Sequence, residues 1–124
     1  MFIEFRNIKG KNNVRATITK NGELSFTEGV IRKFAIDRQQ AKFSKLYFDP
    51  ADKKIGLKLI MFDDGAAAKV RAHGNGFKIV NKLFFEHFHI LPKETNNYDV
   101  SMDDDMLIVD LKTAKKRVEK ENKE

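Results

Sequence analysis

An Asn-Gly pair recurs 54 residues apart, and that repeat constrains the fold of this 124-residue chain more than any other feature. The first stretch is Ile18-Thr19-Lys20-Asn21-Gly22-Glu23-Leu24-Ser25-Phe26-Thr27. The second is Ala72-His73-Gly74-Asn75-Gly76-Phe77-Lys78-Ile79-Val80-Asn81. Asn-Gly is the strongest short hairpin signal, because both residues tolerate positive φ. Five positions after each Gly stands a residue able to cap a helix, Thr27 or Asn81. The surrounding residues read as the same series twice: strand, tight turn, short strand, helix, strand, turn, strand.

In the first series, Val14 to Thr19 is rich in β-branched residues and reads as a strand. Leu24 to Phe26 returns, and a helix runs from Thr27 to about Ile36 with Val30, Ile31 and Phe34 on its apolar side. Phe43 to Phe48 and the alternating Ile55-Gly56-Leu57-Lys58-Leu59 are strands on either side of Asp49-Pro50-Ala51-Asp52, a turn in which Asp bonds the local backbone. Residues 60–68 join the halves. The second series places strands at 69–73, 77–80, 98–102 and 107–111, with a helix from Asn81 to about Ile90. At an offset of 54, Val30, Phe34 and Ile36 fall on Phe84, Phe88 and Ile90; at 52, Ile55, Leu57 and Leu59 fall on Leu107, Val109 and Leu111. A unit of about 45 residues is too small to bury a sufficient core alone, so two units are expected to share one.

The expectation is therefore one mainly β (α+β) domain: a small barrel of two fused β-β-α-β-β repeats, at 14–60 and 61–111. Residues 1–13 are expected to pack on the barrel. Residues 112–124, rich in Lys, Arg and Glu, are expected to form a basic helix or tail.

The first unit also resembles a known family. Lys20-x-Gly22-x-Leu24-x-Phe26, a helix carrying Arg32 and Phe34 and ending at Ile36, then Leu46-Tyr47-x-Asp49 and Ile55-x-Leu57-Lys58, is similar to the AbrB/MazE/SpoVT swapped-hairpin family. MraZ-like members carry two such units in one chain. The resemblance implies a barrel in which two units exchange hairpins, and a DNA-binding, transcription-regulating role. It covers about 14–60, with a weaker copy at 69–111. This chain departs from the pattern in having Thr27 and Asn81 where the family usually has Pro. Glu23 and Phe77 stand just after the turn Gly, where the family places an arginine. Arg15 and Arg71 lie near the first-strand position, and Arg32 keeps the family residue type on the helix.

Charge is unevenly spread. The net charge is +6. Residues 14–60 hold ten basic and five acidic residues, 61–111 five and nine, and 112–124 six and three. A basic first half and basic ends suit phosphate, whose contacts with Lys and Arg are independent of base sequence and sensitive to salt. The candidate nucleic-acid residues are Arg15, Lys20, Arg32, Lys33, Lys58, Lys115, Lys116 and Arg117. A solvated basic face is the competing reading of the same residues. A second functional reading is a protein-docking module, with Ile31 and Phe85 as an apolar partner surface at positions the family leaves outward, beside the acidic second half.

Other features point away from chemistry. The chain has no Cys, hence no disulfide, zinc-thiolate site or cysteine nucleophile. His87 and His89, two apart on a helix, point about 200° apart and do not share one ion. Asp103-Asp104-Asp105 lacks the spacing of a calcium loop, and Gly74-x-Gly76 lacks the remainder of a phosphate cradle. No catalytic motif, metal site or cofactor is expected, and the chain reads as a non-enzyme. No secretory or membrane segment is evident, so a cytoplasmic protein is expected, as a pseudo-two-fold monomer or a homodimer.

Overall fold

A computed structural model describes residues 14–116. The expected packing of residues 1–13, and any role for Arg117, lie outside the described residues. Nine strands and two short helices follow in order: β1 (Arg15–Ile18), β2 (Glu23–Phe26), α1 (Glu28–Lys33), β3 (Phe43–Asp49), β4 (Lys54–Ile60), β5 (Ala68–Lys69), β6 (Arg71–His73), β7 (Gly76–Val80), α2 (Lys82–His87), β8 (Asn96–Asp103) and β9 (Met106–Lys116). All strand pairs are antiparallel, in the order β5-β3-β4-β9-β8-β1-β2-β7-β6. The two ends of this sheet, β5 and β6, are consecutive in the chain and separated only by Val70. One strand therefore leaves β3 and joins β7, which nearly closes the sheet into a barrel. The Val70 amide donates to the Lys42 carbonyl at 2.9 Å across this seam. Such closure hides sheet edges that would otherwise pair with other chains.

Alternation decides what lies inside. On one side of the barrel, Ala16 pairs with Phe26 and Tyr98, and Phe26 with Phe77. On the other, Leu57 pairs with Leu107, and Ile55 with Val109. All are buried in one core, together with Val30 of α1 and Phe85 of α2. Phe26 and Phe77 stack with centroids 4.9 Å apart.

The two turns use their glycines differently. Lys20-Asn21-Gly22 is a three-residue hairpin loop in which only Gly22 takes positive φ, at +81°. Thr19 and Glu23 close it, the Thr19 amide donating to the Glu23 carbonyl. In the second hairpin His73 pairs with Gly76, so the turn is Gly74-Asn75, and Gly74 carries the positive φ. Neither hairpin places both residues of its Asn-Gly at positive φ. The glycine of each Asn-Gly pair, Gly22 or Gly76, is needed for close approach. A Cβ on Gly22 would lie 2.5 Å from Lys82 Cα, and one on Gly76 would overlap the Phe26 carbonyl oxygen. Each turn is thus wedged against the segment that starts a helix in the other half of the chain.

Both helices are shorter than their apolar periodicity suggests. Each ends in a left-handed residue, Ala35 (φ 51°) or His89 (φ 57°). Ile36 then donates to the Ile31 carbonyl at 3.0 Å, and Ile90 to the Phe85 carbonyl at 2.9 Å. These are Schellman closures, which bring an apolar residue after the helix against one in its last turn. Asn81 caps α2, its side chain accepting from the Phe84 amide at 3.2 Å. Thr27 occupies the equivalent position of α1 but makes no side-chain cap bond there.

The expected C-terminal helix is not present over 112–116. These residues continue β9, with Lys115 opposite Asn97 and Lys116 opposite Asn96. Helical propensity loses here to a waiting ladder on β8. The extension is reached through a bulge at 111–114, opposite Tyr98. Asp110 anchors it by accepting from the Lys112 amide at 3.0 Å, and this bond with the nearby Lys112 ammonium holds the Asp110 carboxyl below its usual range. A carboxyl so lowered supports the bulge above the unfolded Asp value of about 3.9 and loses that support as pH falls through its folded value. The Lys112 amide resonance is therefore expected to titrate with a midpoint below about 3.9. A midpoint at or above that value counts against the anchor.

Candidate nucleic-acid interface

Pairing residues lie on the same side of a sheet, so register alone assembles an outer row across six strands. Lys115 (β9) pairs with Asn97 (β8), Asn97 with Thr17 (β1), Thr17 with Ser25 (β2), Ser25 with Lys78 (β7) and Lys78 with Arg71 (β6). The middle of the row is small and uncharged, and its ends are cationic. At about 4.8 Å per strand it runs about 24 Å along the sheet, the rise of about seven nucleotides of one strand. The Thr17 hydroxyl donates to Asn97 Oδ1 at 2.7 Å, fixing the amide's orientation.

Thr17, Ser25 and Asn97 line an open groove of about 510 Å³, with Arg15, Thr27 and Glu28 at one side. Two carboxylates line it, and both are matched by cations. Glu28 pairs with Arg32 at 3.2 Å, and Glu23 with Lys78 at 3.5 Å. Arg15 is exposed and makes no ion pair among the described residues.

The structure brings together only part of the expected set. Arg15 stands at the groove, Arg32 reaches it through Glu28, and Lys115 ends the row. Lys20 is exposed in the β1–β2 turn. Lys33 turns over the Phe34 ring, 5.5 Å from its centroid. Lys58 belongs to β4, outside the row, and lies 4.0 Å from Asp105. Lys116 is 3.7 Å from Glu94. The row also contains residues that composition does not single out: Thr17, Ser25, Lys78 and Asn97. Only strand register places them in line.

Ile31 and Phe85 do not form an exposed apolar surface. Phe85 is 0% exposed and Ile31 is half-buried against the core. Each is the last-turn residue that the Schellman closure covers with Ile36 or Ile90. The exposed large apolar side chains lie elsewhere, foremost Leu83 (77%) and Phe62 (74%). Among the described residues, no group of three or more His, Asp or Glu is placed to hold a metal ion, and no helix is long and apolar enough to cross a membrane.

Comparison with family models, with curated proteins and with solved structures returns no match. The functional reading therefore rests on the geometry of this chain.

Proposed function

We propose that the outer face of β8, β1, β2 and β7 binds nucleic acid, DNA in the first instance, in a regulatory or accessory role. The observation that carries this reading is the cation-flanked row of hydroxyl and amide side chains over an open groove whose carboxylates are already matched. Lys and Arg at its ends suit phosphates, and Thr, Ser and Asn offer hydrogen bonds without a fixed charge.

The scaffold proposed with it is a fused pair of swapped-hairpin units of the AbrB/MazE/SpoVT type. Exchanging the halves leaves the order of strands around the barrel unchanged. The β1–β2 hairpin sits between β8 and β7 of the second half. The strand formed by β5 and β6 joins β3 to β7 in the reciprocal way. The seams are unequal, however: β1 pairs four residues with β8, while β5 pairs two with β3. That inequality supports one binding face in place of two equivalent ones.

The test is duplex and single-strand affinity against salt. Arg15, Arg71, Lys78 and Lys115 supply three to four phosphate contacts if all but the Glu23-paired Lys78 act fully. The slope of log K against log salt on duplex DNA is then expected near −3, on the order of 0.9 per contact. Lys115→Gln is expected to reduce its size by about one and to weaken all sequences alike. A flat salt response, or no binding at low salt, overturns the reading.

A further inference from the structure

A second basic feature lies at the barrel seam, away from the groove. Arg38, Lys42 and Arg71 line a pocket of about 110 Å³ floored by Ile36, Val70 and Phe77. No acidic residue lines it, and none of the three cations makes an ion pair among the described residues. Arg32, Lys45, Lys58, Lys78, Lys82, Lys112 and Lys116, by contrast, all have carboxylate neighbours, while Arg15 and Lys115 share the lack of one among the described residues but do not line this pocket. Backbone bonds fix the Arg38 guanidinium and the main chain of Lys42. Arg38 donates to the Gly76 carbonyl at 3.1 Å and the Asn75 carbonyl at 3.4 Å, which bridges the α1–β3 connection to the second hairpin. Lys42 is tied on both sides, its amide to Ile60 and its carbonyl to Val70. The guanidinium of Arg38 keeps further N–H groups beyond those two bonds.

Size then selects the ligand. Pockets for drug-sized molecules run from about 300 Å³, so this one is too small for a nucleoside. It exceeds by several-fold the roughly 10–15 Å³ that one water requires. Three cations lining one pocket without a lining carboxylate suit a multiply charged oxyanion, because each contact would be charge-assisted. We propose that the seam pocket is a binding site for a single phosphoryl group, held by Arg38, Lys42 and Arg71. The site stands on its own residues and does not depend on the groove binding nucleic acid; Arg71 does not line the groove but also stands at the end of the outer row. The phosphoryl group has two sources, free phosphate or a terminal phosphomonoester of a longer molecule.

The full chain is titrated with sodium phosphate at constant ionic strength, exchanging chloride for phosphate, and followed by amide resonances. Saturable shifts at Lys42, Val70 and Arg71 are expected. Lys42→Gln and Arg71→Gln each weaken binding about tenfold, and Lys93→Gln, outside the pocket, leaves it unchanged. Arg38 is left intact because it braces the Asn75 and Gly76 carbonyls. A parallel titration compares a 5′-phosphorylated trinucleotide with its 5′-hydroxyl form. Tighter binding of the phosphorylated form than of inorganic phosphate supports the site with a terminal phosphomonoester as ligand, and equal binding supports it with free phosphate. The proposal is overturned if neither phosphate source gives saturable shifts, if chloride gives the same shifts, or if Lys93→Gln weakens binding as much as Lys42→Gln.

Discussion

Phe85→Ala is expected to lower the free energy of unfolding by about 3–5 kcal/mol, to be read by urea denaturation. The ring is fully buried in the shared core and meets Phe84 edge-on, with centroids 5.3 Å apart. Removing it costs the transfer energy of the ring and leaves a cavity. Its carbonyl also receives the Ile90 amide that closes α2, so the helix end and the core are anchored at one residue. Leu83→Ala, two residues earlier on the same helix but 77% exposed, is expected to change stability by less than about 0.5 kcal/mol. A loss below about 1 kcal/mol for Phe85→Ala would show that the side chain is not a core residue. The result also bears on docking. A partner lost on Phe85→Ala reports an unfolded protein, so Leu83 and Phe62 are the informative positions for that question.

Gly76→Ala is expected to destabilise by about 3 kcal/mol, the upper end of the range for overpacking. The added Cβ overlaps the Phe26 carbonyl oxygen and approaches the Thr27 carbonyl carbon to 3.2 Å. Both obstacles are backbone, so no side-chain rotation relieves them. The β6–β7 hairpin must move away from β2, and the Gly76 carbonyl moves away from Arg38. Gly74→Ala is the matched control. Its φ is +59° but no atom lies within 4 Å of the new Cβ, so only the left-handed backbone is strained, by about 1–2 kcal/mol. Equal losses at the two positions would mean that backbone conformation, and not close approach, explains Gly76.

The strand series was largely legible because alternation is a local property. Ile55, Leu57, Leu107 and Val109 announce an inward face whatever they pack against, and all four are buried. The acceptor role of Asp49 in its turn was legible for the same reason: its Oδ1 accepts the Ala51 and Asp52 amides within three residues. Helix ends were less so. Ile36 and Ile90 look like further turns of an apolar helix, but a left-handed residue before each folds it back onto Ile31 or Phe85. Neither Ala35 nor His89 is a glycine that would mark that reversal. The fate of 112–116 was illegible because a Lys-rich segment of helical propensity becomes a strand only when β8 offers it unpaired backbone.

The candidate interface divides along the same line. Arg15, Arg32 and Lys115 are visible as cations in any reading of the chain. Their relation to Thr17, Ser25, Asn97 and Lys78 is not, because the pairs bridge up to 80 positions and one residue of slip turns each side chain to the other face. The recurring Asn-Gly pair by itself determined that two tight turns stand at matching places in a β-rich chain. Only the tertiary structure decided why the glycine of each pair is required. Gly22 and Gly76 are pressed against Lys82 and Phe26, residues more than 45 positions away. Close approach between distant backbones is a property of the packed barrel, and no local stretch of sequence contains it.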